Sequence, residues 1–292
     1  ISGAIVNLGG EILQEYTNSV IGGSGEENFD KLAGFLRLLQ TEAQRLPARI
    51  LGAAIGVPGI LDSRAGLVRL APCLDWFDFP LRQRLERISD LPLILENDVN
   101  LAVLGEFWYG AGRGVRDLVM VAIGTGIGAG IILDGKLHRG FSESSGEVGY
   151  ILPGIQFLDQ KYPGFGALES VASGKGIADQ ALKKWPLFHD GESPPEMEAV
   201  DVFRAARDGQ PWAVQVVSET IDYLSLALGN IIVCLDPEQV ILGGGIASSA
   251  SVLIDPIRDR LSGVIPRLPR IEESALKERA DVANDWDADI FV

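Results

Sequence analysis

The sequence predicts an α/β protein built as two units, and three observations carry the prediction. Short apolar runs end in glycine or a polar turn, and stretches with helical spacing follow several of them. The segment Gly110-Ala-Gly-Arg-Gly114 interrupts this pattern as a flexible joint. Behind it, Val121-Ala-Ile-Gly-Thr-Gly-Ile-Gly-Ala-Gly130 runs into Ile131-Ile-Leu-Asp-Gly135: an apolar run, a ladder of alternating glycines holding one threonine, and a second apolar run. The expected boundary gives an N-terminal α/β lobe over 1–115 and a C-terminal α/β lobe over 116–292.

In order along the chain, residues 3–8 and 11–17 read as strands joined at Gly9-Gly10. From Glu26 to Leu46, the residues Phe29, Leu32, Phe35, Leu36 and Leu39 recur near i, i+3, i+4, which predicts an amphipathic helix. Ile50 to Val57 is an apolar strand stopped by Pro58-Gly59. Trp76-Phe-Asp-Phe79 is an aromatic cluster whose favoured role is packing against its own lobe. Leu91 to Leu95 is a strand, and a helix from Val99 to Tyr109 follows Glu96-Asn97-Asp98. The glycine ladder forms a hairpin, and Asp134-Gly135 supplies a hairpin-turn dipeptide. Residues 141–167 read as irregular. Helices resume near Leu168, Val200 and Trp212, and the one from Trp212 to Leu235 is apolar on more than one face, hence central. Val240 to Leu242 is a buried strand ending in Gly243-Gly-Gly245. A helix follows from about Ser251, with Ser248 or Ser249 as its cap.

Bulk properties exclude several classes. A chain of 292 residues buries a substantial core. Its net charge of −15 argues against this segment gripping nucleic acid or an anionic membrane. Cys73 and Cys234 lie far apart without partners at metal spacing. That speaks against a disulfide scaffold or a Cys-rich zinc site and fits a reducing cytoplasm. His138 and His189 stand alone. The longest apolar stretch, Leu118 to Leu133, is too short for a spanning helix. Ile1-Ser-Gly-Ala4 lacks the basic start of a signal peptide. The chain opens without methionine, directly in a strand, so an upstream segment is expected.

Five places carry chemistry. At Gly124, Gly126, Gly128 and Gly130 bare backbone lets N–H groups approach a ligand, and Thr125 adds a hydroxyl, a combination suited to phosphate. The alternative is a hairpin whose glycines only permit close strand packing. The spacing is not the dinucleotide fingerprint, and a strand follows where that fingerprint needs a helix. Asn97-Asp98 closes a strand and opens a helix. It reads either as an N-cap or as a general base, Asp98, taking the proton of a hydroxyl whose oxygen attacks phosphorus. Glu147 lies in the irregular Ser145-Gly-Glu-Val-Gly-Tyr150, either as a solvated loop carboxylate or facing a ligand with its direction fixed by the flanking glycines. Glu169 starts a helix, where an acid also suits the dipole. Gly243 to Gly245 let a nucleobase or ribose approach, or serve as an ordinary strand-to-helix turn. Gly59, Asn97-Asp98, the ladder and Gly243 to Gly245 all fall at strand ends or turns, where α/β units bind ligands in a shared cleft.

Together these segments resemble the ROK family of bacterial sugar kinases and sugar-responsive transcriptional regulators. Gly56-Val-Pro-Gly59 is similar to that family's GVPG turn, Glu96-Asn-Asp98 to its catalytic segment and Gly124-Thr-Gly-Ile-Gly128 to its second phosphate motif. Ser145-Gly-Glu-Val-Gly149 is similar to its substrate loop, Gly166-Ala-Leu-Glu169 to the Glu segment after it, and Leu242-Gly-Gly-Gly245 to its adenosine motif. The resemblance implies an actin-like (ribonuclease-H-like) ATPase fold, two lobes with a central cleft. It implies Asp98 as base, with Gly59, Asn97, Glu147, Tyr150 and Glu169 at a sugar. It also implies that Gly124, Thr125, Gly126 and Gly128 take phosphate, and that Gly243, Gly244 and Gly245 lie near adenine and ribose. ATP and Mg2+ would be the cofactors of a kinase, and a cytoplasmic homodimer is the expected state.

Three departures shape the expectation. The family's DxGGT phosphate loop would lie just before Ile1. The family's zinc signature needs a histidine where Tyr150 stands and three cysteines soon after, and residues 151–169 contain none. The tail Ala280-Asp-Val-Ala-Asn-Asp-Trp-Asp-Ala-Asp289 differs from the family's ending. Two functions follow: an ATP-dependent hexose or N-acetylhexosamine kinase, favoured by the residues present, or the sugar-sensing half of a regulator that meets DNA only through an upstream helix-turn-helix. Tyr150 predicts that metal analysis of the purified protein gives substoichiometric zinc; one tightly held ion per chain would overturn that reading.

Overall fold

The computed structural model describes residues 1–17, 23–162, 166–246 and 250–276. The chain divides into two compact units. The first comprises Ile1–Gly105 and Arg139–Ser145, and the second comprises Glu106–His138 and Gly146–Glu278.

In the first unit, β1 (Ser2–Val6) pairs antiparallel with β2 (Ile12–Thr17). Helix α1 (Gly25–Ala43) starts at Ser24, whose hydroxyl accepts from the Glu27 amide while the Glu27 side chain accepts from the Ser24 amide. This reciprocal capping satisfies two otherwise orphaned donors. It moves the start of the helix ahead of the expected Glu26, and the helical stretch stops short of Leu46. Strand β3 (Ala53–Val57) is followed by β4 (Ile60–Asp62), β5 (Leu67–Ala71) and β6 (Trp76–Phe79), the last three forming an antiparallel sheet. A short helix α2 (Leu81–Leu85) leads to β7 (Leu93–Asn97), which pairs in parallel with β3, and α3 (Asp98–Tyr109) follows at once. The expected strand at Ile50 begins only at Ala53. Its outer neighbour Gly52 lies so close to the Pro92 carbonyl that a Cβ there would stand 2.7 Å from the oxygen.

The aromatic cluster packs, as expected. Trp76 is fully buried and stacked on Phe79 with ring centroids 4.6 Å apart, and its indole N–H donates to the Gly25 carbonyl at 2.8 Å. Phe29, Leu32 and Leu36 of α1 and Leu81 and Leu85 of α2 complete this core.

In the second unit, β8 (Leu118–Ile123), β9 (Ile127–Leu133) and β10 (Lys136–Leu137) are antiparallel neighbours. The β9–β10 turn places Asp134 and Gly135 both at positive φ, the conformation this dipeptide is suited to. Helices α4 (Glu169–Ala172), α5 (Gly174–Phe188), α6 (Ala199–Arg207) and α7 (Pro211–Leu235) come next, then β11 (Gln239–Gly243), α8 (Ala250–Leu261) and β12 (Arg270–Glu273). The sheet order is β10-β9-β8-β11-β12, with β8, β11 and β12 parallel. Strand β8 is buried along its whole length, as a central strand covered on both faces must be.

Helix α7 is long and apolar enough to cross a membrane by length and composition. Here it is the core helix foreseen from its sequence: Ala213, Val216, Leu224 and Leu228 are buried in the second unit's core. Its buried hydroxyls are satisfied within the helix, Thr220 on the Val216 carbonyl at 3.0 Å and Ser225 on the Ile221 carbonyl at 2.7 Å.

The expected joint at Gly110–Gly114 is instead tied down. The fully buried Glu106 carboxylate accepts from the Ala111 amide at 2.7 Å and from the Leu276 amide at 3.0 Å, and Ser274 hydrogen-bonds to it as well. Gly110 is required there, because a Cβ would strike that carboxylate. The expected cap at Ser248 or Ser249 and the atypical tail lie outside the described residues.

Replacing Trp76 by alanine empties a filled site and removes the indole hydrogen bond to the Gly25 carbonyl. The expected cost is about 3–5 kcal/mol, read by urea denaturation; a loss below about 1 kcal/mol would mean the cluster collapses around the gap.

Candidate functional site

The first unit presents Asn97 and Asp98 at the carboxyl end of β7, where the strand turns directly into α3. The β3–β7 register sets Val57 beside Asn97, so the turn after β3 lies next to the turn after β7. Gly59 takes φ +84, and a Cβ there would collide with the Leu70 carbonyl, so glycine is the residue this turn admits. The Asn97 amide donates to the Gly59 carbonyl at 3.1 Å, and its oxygen accepts from the Asn100 amide at 3.1 Å. The second bond is a helix N-cap, so the capping reading holds for Asn97. Asp98 opens the helix with one carboxylate oxygen 2.8 Å from the Val99 amide.

Beneath this pair lies a group that no local pattern announced. Glu96 is 4% exposed; one carboxylate oxygen accepts from the Asn97 amide at 3.0 Å and the Asn100 side chain at 2.9 Å. The other receives Arg139, from Nε at 2.8 Å and Nη2 at 2.6 Å. An acid at the last buried position of an apolar strand calls for a counter-charge, which is the one signal the sequence carried.

The second unit gathers the remaining candidates around the β8–β9 turn. Within it, the Gly124 amide donates to the Gly126 carbonyl at 2.9 Å, and the Gly124 carbonyl accepts from Gly174 at the start of α5, at 2.8 Å. Glu169 accepts from the Ile127 and Gly166 amides, and a Cβ on Gly126 would lie 3.1 Å from its carboxylate. Burial pushes the Glu169 carboxyl above its ordinary range, with those two amides opposing the shift. Tyr150 follows Glu147 in one helical turn, its amide 3.1 Å from the Glu147 carbonyl. Burial first, then the charges of Glu147 and Glu169, raise its phenol. Glu147, Tyr150, Glu169 and the glycine turn thus share one electrostatic neighbourhood.

The glycines divide between packing and access. Gly244 has φ +93 and would drive a Cβ into the Ile123 backbone, while a Cβ on Gly243 would press on Met120. Both are dictated by the close approach of β11 to β8. At Gly245 a Cβ would meet nothing within 4 Å. Among the described residues there is no group of three or more His, Cys, Asp or Glu placed to hold a metal ion.

With this geometry in hand, the comparisons with known proteins become specific. The profile of the ROK family matches residues 1–280. A glucokinase of Halalkalibacterium halodurans is 35% identical over 246 residues, covering 81% of this chain and 73% of the relative. Among solved structures, a ROK family transcriptional regulator described as a homolog of the E. coli MLC protein has a TM-score of 0.81 at 28% identity, over 96% of this chain and 72% of the regulator. A ROK family glucokinase from Streptomyces griseus, in complex with glucose and AMPPNP, has a TM-score of 0.79 at 26% identity, over 97% of this chain and 94% of that one. The fold is therefore the α/β, actin-like ATPase fold of the ROK sugar kinases.

The raised Glu169 carboxyl has a stability consequence. Its protonated form is favoured by folding, so its contribution is complete at low pH and is lost as pH rises through the raised value. Glu169→Gln is expected to melt at or above the parent temperature at pH 7 and to lose that advantage below about pH 4; a parent that melts higher at pH 7 would contradict this. The site's segments, the profile over residues 1–280 and the relatives agree that this chain belongs to the ROK family.

Proposed function

We propose that this protein is an ATP-dependent sugar kinase that transfers the γ-phosphate to a hydroxyl of a hexose or N-acetylhexosamine. The observation that carries the reading is the β7–α3 junction. There an asparagine fixed at both ends of its amide stands beside a carboxylate at the first position of a helix. Asn97 spends one N–H and one lone pair on Gly59 and Asn100, and by valence the second of each remains for a sugar hydroxyl. Asp98 takes the proton of the attacked hydroxyl. As that oxygen bonds to the γ-phosphorus, the bond from phosphorus to the β–γ bridging oxygen breaks and ADP leaves with those electrons.

Glu147, Tyr150 and Glu169 supply further sugar contacts, Glu169 from a half-buried position. The Gly124–Gly126 turn and Gly128 offer backbone to phosphate, with Thr125 adding a hydroxyl; in the Gly243–Gly245 turn proposed for adenosine, Gly243 and Gly244 pack the strand ends and Gly245 leaves open backbone. Magnesium needs no cage of side chains, because it keeps waters and takes phosphate oxygens as ligands. Its charge, when bound, would offset that of the triphosphate. A cytoplasmic homodimer belongs to the same reading.

A second reading has one observation in its favour: the TM-score to the ROK transcriptional regulator is as high as that to the kinase. In that reading sugar binding shifts a conformational equilibrium rather than starting chemistry. ATP-dependent phosphorylation of a panel of aldohexoses and N-acetylhexosamines separates the two. Turnover establishes the kinase; sugar binding without turnover establishes the sensor. Asp98→Asn is expected to lower kcat by about 10²- to 10⁴-fold or more, leaving sugar affinity within about threefold, since the amide keeps shape and hydrogen-bond reach. Retained turnover would remove Asp98 from its role.

A further inference from the structure

The geometry points to Arg139 as a positioning residue: its ion pair with the buried Glu96 sets Asn97 and Asp98 for the sugar hydroxyls. The inference rests on the sugar-site reading of those two residues and adds to it a residue 41 positions away in sequence from Asp98.

Three observations carry it. First, Glu96 is saturated. A carboxylate offers about four lone-pair sites, and here Asn97 and Asn100 fill two on one oxygen while Nε and Nη2 of Arg139 fill two on the other. The oxygen that Arg139 does not touch is the one that receives the Asn97 amide. Second, burial is unequal across the pair: the Glu96 side chain is 5% exposed and that of Arg139 41%. A carboxylate that buried needs a charge partner, whereas the guanidinium could find water. Losing Arg139 therefore leaves a buried carboxylate without its counter-charge, which draws Glu96 toward solvent. That movement disturbs the Asn97 amide and the Asn100 side chain, and through Asn100 the bond that holds the Asn97 side chain.

Third, Arg139 is itself held. The Arg139 carbonyl accepts from the Ser145 amide at 3.0 Å, which closes the segment Arg139–Ser145 on itself. Within that segment Glu143 accepts from the Ser63 amide at 2.6 Å, with Arg64 4.0 Å away, which fastens it to the end of β4. The guanidinium is thus presented by a loop anchored elsewhere in the first unit rather than by a free side chain.

The test is a double-mutant cycle in the full-length protein with Glu96→Gln, Arg139→Met and both together. It is read as sugar dissociation constants by calorimetry with the tightest-binding member of the aldohexose and N-acetylhexosamine panel. AMPPNP affinity and melting temperature are measured in parallel. Each single variant is expected to weaken sugar binding about tenfold, and the double variant to fall within about threefold of either single. AMPPNP affinity is expected to stay within about twofold in all three. Additive losses, unchanged sugar affinity in the singles, or equal loss of nucleotide and sugar affinity would each overturn the positioning role. The kinase reading fails separately, as sugar binding and coupling without phosphorylation by the parent protein. A parent that binds no sugar of the panel overturns both.

Discussion

The parallel pairing of β3 with β7 is the constraint on which the first unit's site depends. Its register aligns Val57 with Asn97, and everything chemical follows from that alignment. The turn after β3 reaches the Asn97 amide through the Gly59 carbonyl, while the chain after β7 enters a helix without an intervening loop. A slip of one residue would exchange the faces of Glu96 and Asn97, exposing the acid and burying the amide. The close approach of the Gly59 turn to Leu70 makes the three-stranded sheet β4-β5-β6 part of the same arrangement, because its middle strand is what forbids a side chain at position 59.

The second unit solves a different problem, that of bringing many backbone groups close to one point. Its central parallel pair, β8 and β11, ends in two glycine turns, and the positive φ of Gly244 lets one end nest on the other. Glu169 sits where the hairpin turn, Gly149 and Gly166 converge, so a half-buried carboxyl and a set of bare backbones occupy the same small volume. Burial that raises the acid and the bare glycines packed around it have one origin here, the crowding of chain against chain.

How legible this was in the sequence depended on distance along the chain. Strands β7, β8 and β9 and helix α7 announced themselves through long apolar patterns, and Asn97-Asp98 stood out because a strand end meets a helix start. The sheet β4-β5-β6 escaped notice because its strands are three to five residues long and Asp75 and Asp78 interrupt it at positive φ. Strand β12 offers only Ile271 as a buried apolar residue, so its pairing with β11 decides its state rather than its own composition. The start of α1 was written locally, as Ser24 three residues before Glu27. The Glu96–Arg139 pair had no local signature: its halves are brought together by tertiary structure alone, and an arginine beside a glycine reads as an ordinary surface residue. The resemblance to a family supplied the expected roles of Glu147 and Glu169, which the residues by themselves left open: a solvated loop acid or a ligand for the first, a first-turn acid suited to the dipole or a ligand for the second.

Asn97 serves two masters, since the oxygen that faces Asn100 caps α3 while the nitrogen fastens the Gly59 turn. On the sugar-site reading proposed above, folding and ligand recognition are therefore not separable at this position by the usual genetic means. A saturation screen that scores cellular abundance and one that scores sugar utilisation would rank the substitutions at 97 in nearly the same order. At the neighbouring position 98 the two rankings would part, and that divergence between adjacent residues is the mark by which a population of random variants would locate the site without any structure at all.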